Sequence, residues 1–148
     1  MPQSLAKILV HVVFSTKNRE PVIPREIRPS LYAYVSGILE NLGCPSIQTG
    51  GTVDHVHTLL SLARIRTVAD VVEKIKKSSS KWMKQQGVDS FFWQAGYGAF
   101  STGESQLPAV ISYIAEQEEH HRSLSFQDEF RRLLERYGVS YDERYVWG

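Results

Sequence analysis

The sequence lacks the features of a disulfide-rich or membrane-spanning protein. Its one cysteine in 148 residues, Cys44, excludes an intrachain disulfide and a zinc site built from several cysteines. The apolar run from Ile8 to Phe14 is interrupted by His11, is too short to span a bilayer and has no signal-peptide cleavage pattern. We therefore expect a soluble, cytoplasmic protein in which Cys44 is a small buried side chain.

A strong net charge is also missing, although the charges are unevenly distributed. The formal net charge is +1, so the overall composition does not indicate a nucleic-acid-binding protein. Between Arg64 and Lys84, however, seven basic residues accompany two acidic ones, whereas between Glu104 and Glu143 nine acidic residues outnumber four basic ones. We expect an anionic partner to prefer the middle of the chain, with an attraction that weakens as salt rises.

Two histidines one residue apart stand in an apolar segment that follows Gly50-Gly51. In an extended strand, alternate side chains face the same side, so His55 and His57 project together and can bind one cation. Val56 and Leu60 then face the opposite side, which we expect to pack on helices. The tripeptide by itself is equally compatible with two strand histidines that are satisfied by hydrogen bonds.

The apolar periodicity predicts one globular α+β domain without repeats or linkers. The predicted order is strand, helix, strand, strand, helix, strand and further helices, with strands at residues 7–16, 45–49, the histidine segment and 91–101. The second strand is expected to turn at Gly50-Gly51 into the histidine strand. This order is that of a ferredoxin-like or RRM-like antiparallel sheet, βαββαβ, with C-terminal helices added.

Two helices are predicted after Gly103. The first has Ser105 as its N-cap and carries Tyr113, Gln117 and His120 on successive turns of one flank. We expect His120 to lie at a solvated helix end. The second helix runs from Phe126 to Tyr137, and the aromatic tail after it is expected to dock on the body or on a partner.

Six basic side chains are candidates for contacts with DNA. Four lie on the helix that begins after Thr67, opposite its apolar stripe, and two lie in the turn after the first strand: Lys74, Lys77, Lys81, Lys84, Lys17 and Arg19. A solvated surface is the alternative explanation for both groups.

If the histidine pair binds a divalent metal, it forms part of a site that can act on a phosphodiester. Two nitrogens do not complete a protein metal site, and Gln117 can offer a neutral carbonyl oxygen as a further ligand. Tyr113, one turn before it, would then hold its phenol near a metal that polarises a phosphoryl oxygen. Attack on a phosphodiester gives a phosphotyrosine, and a free hydroxyl can reverse that step without ATP.

Three segments together resemble a known family of enzymes. His55-Val56-His57, the segment from Phe92 to Ser101, and Tyr113-Ile-Ala-Glu-Gln117 are similar to the HUH-type single-tyrosine transposases of small bacterial insertion sequences, the TnpA group, and to their REP-associated relatives. The likeness extends from the first strand to the tail, so residues 1–148 are interpreted as a single HUH-type domain.

The resemblance implies the roles of four residues. His55 and His57 match the metal ligands, Tyr113 matches the nucleophile, and Gln117 matches the polar residue that completes the metal site. It further implies Mg²⁺ or Mn²⁺ as cofactor and single-stranded DNA with subterminal hairpins as substrate. Cleavage would leave a 5′-phosphotyrosine and a 3′-hydroxyl. The enzyme would be a homodimer in which the tyrosine helix of one subunit completes the site of the other.

Two other functions stay open at this point. The chain could be a catalytically idle module that binds DNA or RNA hairpins, or a metal-dependent nuclease in which water replaces Tyr113 as the nucleophile. The four intact residues argue against the idle module, and only Tyr113 distinguishes the nuclease. By donor type alone, nitrogen and amide ligands also suit Zn²⁺.

Overall fold

A four-stranded antiparallel sheet organises the computed structural model, which describes residues 2–148. The sheet has the order β2-β3-β1-β4, and its strands are β1 (Leu9–Ser15), β2 (Ser46–Gly51), β3 (His55–Ser61) and β4 (Gly98–Thr102). The helices are α1 (Arg28–Asn41), α2 (Val68–Gln85), α3 (Leu107–Ala115), α4 (Gln117–His120) and α5 (Phe126–Arg136). The predicted α+β, ferredoxin-like βαββαβ arrangement with C-terminal helices is therefore confirmed.

The helices α1 and α2 cover one face of the sheet. Alternation along β1 and β3 sends Val12, Phe14 and Val56 to this face, where they form the main core with the apolar sides of both helices. Thr67 caps the start of α2 by accepting a hydrogen bond from the backbone N–H of Asp70. Cys44 is buried in the same core, as expected.

The C-terminal helices cover the opposite face. Ile114 of α3 packs on Leu59 of β3, while Phe130 of α5 packs on Val13 of β1 and Phe100 of β4. Each strand of the central pair is therefore buried on both sides, and every residue of β1 is buried. This second layer brings α3, α4 and α5 over the histidine side of the sheet.

Several predicted boundaries are wrong. Gly50 and Gly51 belong to β2 and pair with His57 and Val56, so the hairpin turns at residues 52–54. The last strand is confined to Gly98–Thr102, because residues 91–97 leave the sheet apart from one bridge at Trp93. Ser105 lies inside a 3₁₀ turn and caps nothing.

The aromatic tail docks on the body of the chain, which is one of the two arrangements expected. The Trp147 ring contacts Phe126 and Phe130 of α5, and the carbonyl oxygen of Gly148 accepts a hydrogen bond from the backbone of Gly96. No helix in residues 2–148 combines the length and apolar character that crossing a bilayer requires.

Candidate functional site

His55 and His57 lie side by side on the inner strand β3. Both are fully buried, their ring centroids are 5.2 Å apart, and both project toward the layer formed by α3 to α5. Val56 between them points into the opposite core. The alternation expected of an extended strand is therefore present in this segment.

The contacts of His55 place two hydrogen-bond acceptors, His55 Nε2 and Gln117 Oε1, next to each other. Its Nδ1 lies 2.7 Å from Asp54 Oδ1, and since a carboxylate only accepts, Nδ1–H donates and the neutral ring keeps its lone pair on Nε2. That Nε2 lies 2.8 Å from Oε1 of Gln117, whose amide N–H donates to Glu129 Oε2 at 2.9 Å. The contact is therefore satisfied either by a proton on the ring nitrogen or by a cation that the ring nitrogen and the amide oxygen bind together.

His57 is oriented by a third histidine. His11 on β1 stacks on the His57 ring, and its Nε2 lies 2.8 Å from His57 Nδ1. Burial and the neighbouring His57 lower the pKa of His11 to about 3, so its imidazole is neutral. The contact at Nδ1 fixes the orientation of the His57 ring, as hydrogen bonds at the other ring nitrogen do for metal-binding histidines.

The carboxylate of Glu129 on α5 lies at the centre of the site. Its Oε1 is 3.0 Å from His57 Nε2, 2.9 Å from His121 Nε2 and 3.4 Å from His55 Nε2. Burial alone would raise the pKa of Glu129, but its electrostatic interaction with His57 and hydrogen bonds with His121 and His57 hold that pKa well below the usual range. Glu129 is therefore a buried, ionised carboxylate.

Tyr113 reaches this centre from α3 of the same chain. Its hydroxyl donates a hydrogen bond to Glu129 Oε2, and its ring centroid is 5.7 Å from that of His57. Burial raises the pKa of the Tyr113 phenol well above its usual range, and Glu129 raises it further, whereas Arg136 acts in the opposite direction. The phenol is therefore protonated at neutral pH and needs a proton acceptor in order to become a nucleophile.

His120 does not occupy a solvated helix end, contrary to expectation. Its ring stacks on that of Tyr113, with centroids 5.1 Å apart and planes inclined by 30°. The helix kinks at Glu116, between α3 and α4, and this change of direction turns His120 back over the tyrosine.

The donor set at the centre fits a divalent metal ion. One ligand atom each from His55, His121 and Glu129 lie within 4.8 Å of one another, and Gln117 Oε1 is next to His55 Nε2. Imidazole nitrogens and carboxylate or amide oxygens are ligands of several divalent metals, among them Mn²⁺ and Zn²⁺. The predicted residues His55, His57, Gln117 and Tyr113 all come together around Glu129.

Sequence reasoning missed two members of this cluster, Glu129 and His121. Glu129 carried a usable signal, because it lies on the apolar stripe of α5, three residues after Phe126 and four before Leu133, where a charged residue is costly to bury. His121 gave no comparable signal. It joins the cluster only because the chain reverses direction between α4 and α5.

The six predicted DNA-contacting residues have different surroundings. Lys77 and Lys81 are exposed on α2, and Lys74 pairs with Asp70 at 3.6 Å. The ammonium groups of Lys17 and Lys84 lie 5.9 and 4.5 Å from the centre of the exposed Phe92 ring. Arg19 instead donates to the carbonyl oxygen of Trp147 at 2.7 Å and so holds the tail.

Comparisons with known proteins point to one family. The family model described as "Transposase IS200 like" matches residues 4–117. A crystal structure of a candidate transposase from Deinococcus radiodurans R1 is 23% identical, with a TM-score of 0.61 over 79% of this chain and 98% of that one. A REP-associated tyrosine transposase bound to a REP hairpin is 13% identical, with a TM-score of 0.61 over 96% of this chain and 91% of that one. No curated protein matches the sequence.

Proposed function

The chain belongs to the IS200-like transposase family, and from that premise we propose that it cleaves and rejoins single-stranded DNA with Tyr113 as the nucleophile and a divalent metal as cofactor. The observation that carries the proposal is the hydrogen bond from the Tyr113 hydroxyl to Glu129, the carboxylate that also contacts three imidazoles. This contact supports the proposal because phosphotyrosine chemistry requires a phenol next to the groups that would hold the metal.

The close contact between His55 Nε2 and Gln117 Oε1 supports the proposal that His55 binds a metal ion. A cation bound by both His55 Nε2 and Gln117 Oε1 would satisfy their facing lone pairs, and Glu129 supplies negative charge nearby. We propose that His55, His57 and Gln117 bind Mg²⁺ or Mn²⁺, with His121 and Glu129 as additional ligands. When bound, such an ion polarises a phosphoryl oxygen and offsets the negative charge of the transition state.

The proposed reaction breaks one bond and forms one. Tyr113 Oη attacks the phosphorus, a phosphotyrosine bond forms, and the bond from phosphorus to the 3′ oxygen breaks. The hydrogen bond to Glu129 orients the phenol, the phenolic proton is lost to water, and the 3′ oxygen takes a proton from water and leaves as a 3′-hydroxyl. Attack by a free 3′-hydroxyl on the phosphotyrosine reverses the step and joins strands.

Hairpin recognition is proposed on two grounds. The REP-associated tyrosine transposase that shares this fold was solved with a REP hairpin bound. In addition, Lys17 and Lys84 flank the exposed ring of Phe92, and a ring with adjacent cations suits a stacked base and its phosphates. We propose that Lys74, Lys77 and Lys81 extend this basic surface along α2. Arg19 is not part of it, because it binds the C-terminal tail.

Three further points stay proposals. We propose that residues 1–148 act as a single HUH-type domain, that the enzyme works in the cytoplasm, and that it forms a homodimer. The resemblance implies that the subunits exchange tyrosine helices. The contacts of Tyr113 with Glu129 of its own chain favour catalysis without that exchange.

The first prediction concerns the nucleophile. Wild-type protein incubated with Mg²⁺ or Mn²⁺ and with hairpin oligonucleotides from the flanks of its own gene should give a covalent protein–DNA adduct on a denaturing gel. The variant Tyr113→Phe should give no adduct and no cleavage, because the ring remains but the attacking oxygen is gone. Cleavage that survives in Tyr113→Phe would identify a nuclease that uses water.

A second variant separates catalysis from binding. His57→Ala should abolish cleavage but leave hairpin affinity largely intact, because His57 is buried away from the basic surface on α2. Undiminished cleavage by His57→Ala would contradict the proposed metal site. Hairpin binding by a wild-type protein that never cleaves would indicate an idle binding module.

A further inference from the structure

A cavity with a volume of about 620 Å³ opens beside Tyr113, between the pair α3–α4 and the helix α5. Its volume lies within the range of ~300–1,000 Å³ typical of ligand pockets. Tyr113 and Glu129 line it, as do the rings of His120 and Tyr137. Any molecule in this cavity would therefore be next to the proposed nucleophile.

Two arginines on α5 also line this cavity. Arg132 and Arg136 are one helical turn apart, are exposed, and form no ion pair or hydrogen bond within residues 2–148. Their neighbour Arg131 points elsewhere and is bound by Asp128 and Glu143. Guanidinium groups with free donors at the rim of a cavity are suited to bidentate contacts with phosphate.

The charge balance of the cavity favours an anion. Glu129 is its one acidic lining residue, and that carboxylate already accepts hydrogen bonds from Tyr113, Gln117 and His121. The positive charge of Arg136 is close enough to Tyr113 to oppose the rise in the pKa of the phenol. Both arginines lie beyond residues 4–117, where the family match ends.

We propose that this cavity binds the nucleotide next to the phosphodiester that Tyr113 attacks, and that Arg132 and Arg136 hold its phosphate groups. The inference rests on the proposed function, and it states where the single strand lies next to the cleaved phosphodiester, namely between α3–α4 and α5. It makes α5 part of the DNA-binding surface, on the opposite side of the sheet from the lysines of α2. The rings of His120 and Tyr137 provide apolar surface for the sugar and base.

The test uses a fluorescein-labelled oligothymidylate of twelve nucleotides. Because it forms no hairpin, its affinity measures the binding of single-stranded DNA alone. Fluorescence anisotropy over a series of salt concentrations gives the slope of log K against log[salt]. For single strands each phosphate contact contributes about 0.7 to that slope. Arg132→Gln and Arg136→Gln should each reduce the slope by about 0.7, and the double variant by about 1.4.

Matched variants separate phosphate binding from a loss of structure or of general charge. Arg144→Gln removes the same charge from an exposed side chain paired with Asp142 and should leave the slope unchanged. Arg132→Lys and Arg136→Lys should retain most of the slope, because a cation remains at each position. A slope that stays at the wild-type value in the double glutamine variant, or no binding of oligothymidylate by wild type, would overturn the inference.

A measurement on the DNA makes the test independent of protein folding. In the oligonucleotide whose cleavage site has been mapped, a neutral methylphosphonate is placed at the phosphate next to the cleaved one, on each side in turn. It should raise the DNA concentration that gives half the maximal rate of adduct formation for wild type and have no further effect on the double variant. Equal effects on both proteins would reject the arginine contact. Absence of any wild-type adduct would instead reject the proposed function, so the two failures are distinguishable.

Discussion

At the scale of single residues, the site is defined by a buried charge. Transfer of a carboxylate from water to a protein interior is costly unless hydrogen bonds and opposite charges compensate for it. Glu129 is 1% exposed and is compensated by Tyr113, Gln117 and surrounding imidazoles. Clusters of perturbed titratable groups of this kind are concentrated at functional sites.

Replacement of Glu129 tests its part in metal binding. Glu129→Gln keeps the shape of the side chain but removes the negative charge next to the imidazoles. We expect the Kd for Mn²⁺ to rise at least tenfold, since loss of groups around a metal site typically costs ~10- to 100-fold in affinity. Isothermal titration calorimetry of the DNA-free protein measures this directly.

The control for Glu129→Gln lies on the same helix. Glu135 is exposed on α5, so Glu135→Gln removes the same charge without altering the site and should leave the affinity for Mn²⁺ unchanged. An unchanged Kd in Glu129→Gln would show that the carboxylate is not needed to hold the ion.

At the scale of secondary-structure elements, the critical contact is between α3 and β2. A Cβ atom added at Gly50 would lie 2.5 Å from the backbone oxygen of Ile114, so β2 must carry glycine there to let the helix approach. Ile114 directly follows Tyr113. The distance from the tyrosine to the histidine strand is therefore set by this close approach.

The variant Gly50→Ala should displace α3 and weaken both stability and catalysis. Overpacking of this kind costs about 1–3 kcal/mol in the free energy of unfolding, which thermal or urea unfolding measures. Adduct formation on the hairpin substrate should fall by a larger factor than stability alone predicts, because Tyr113 moves away from its site. Wild-type adduct levels in a folded Gly50→Ala protein would contradict this account.

A glycine in α1 provides the matched control for Gly50→Ala. A Cβ at Gly37 would meet no atom within 4 Å, and the residue lies in the interior of the helix. Gly37→Ala should therefore increase the free energy of unfolding by about 0.5–1 kcal/mol and leave adduct formation unchanged.

At the scale of the whole molecule, the sheet is covered by two helical layers that have different roles. The layer of α1 and α2 encloses the larger core and presents lysines to solvent. The layer of α3, α4 and α5 encloses the polar cluster and brings the tyrosine to the histidines of its own chain. This arrangement predicts that each chain is catalytically self-sufficient.

A mixing experiment tests self-sufficiency. His57→Ala and Tyr113→Phe proteins, each inactive alone, are denatured, mixed and refolded together so that any dimers contain both. If subunits exchange tyrosine helices, a mixed dimer regains one complete site and forms the adduct. We expect no recovery of adduct, because both changes fall in sites that belong to single chains. Recovery would establish the exchange that the family resemblance implies.

Local sequence patterns determined the order of the secondary-structure elements and the directions of several side chains in the site. The order of strands and helices follows from apolar periodicity, and the common direction of His55 and His57 follows from the two-residue repeat of a strand. The single helix predicted to carry Tyr113 and Gln117 is instead divided at Glu116 into α3 and α4, although the two residues still point to the same site. These relations involve neighbours along the chain. Local patterns failed at boundaries, such as Gly50-Gly51, where pairing across the sheet extended the strand.

The tertiary structure alone decided what completes the site. Glu129 meets His57 across 72 residues of sequence, and His11 meets the same ring across 46. No periodicity links such distant positions, because their approach depends on how α5 packs on the uncovered face of the sheet. That packing brings a carboxylate, three imidazoles and a phenol of one chain to the same point.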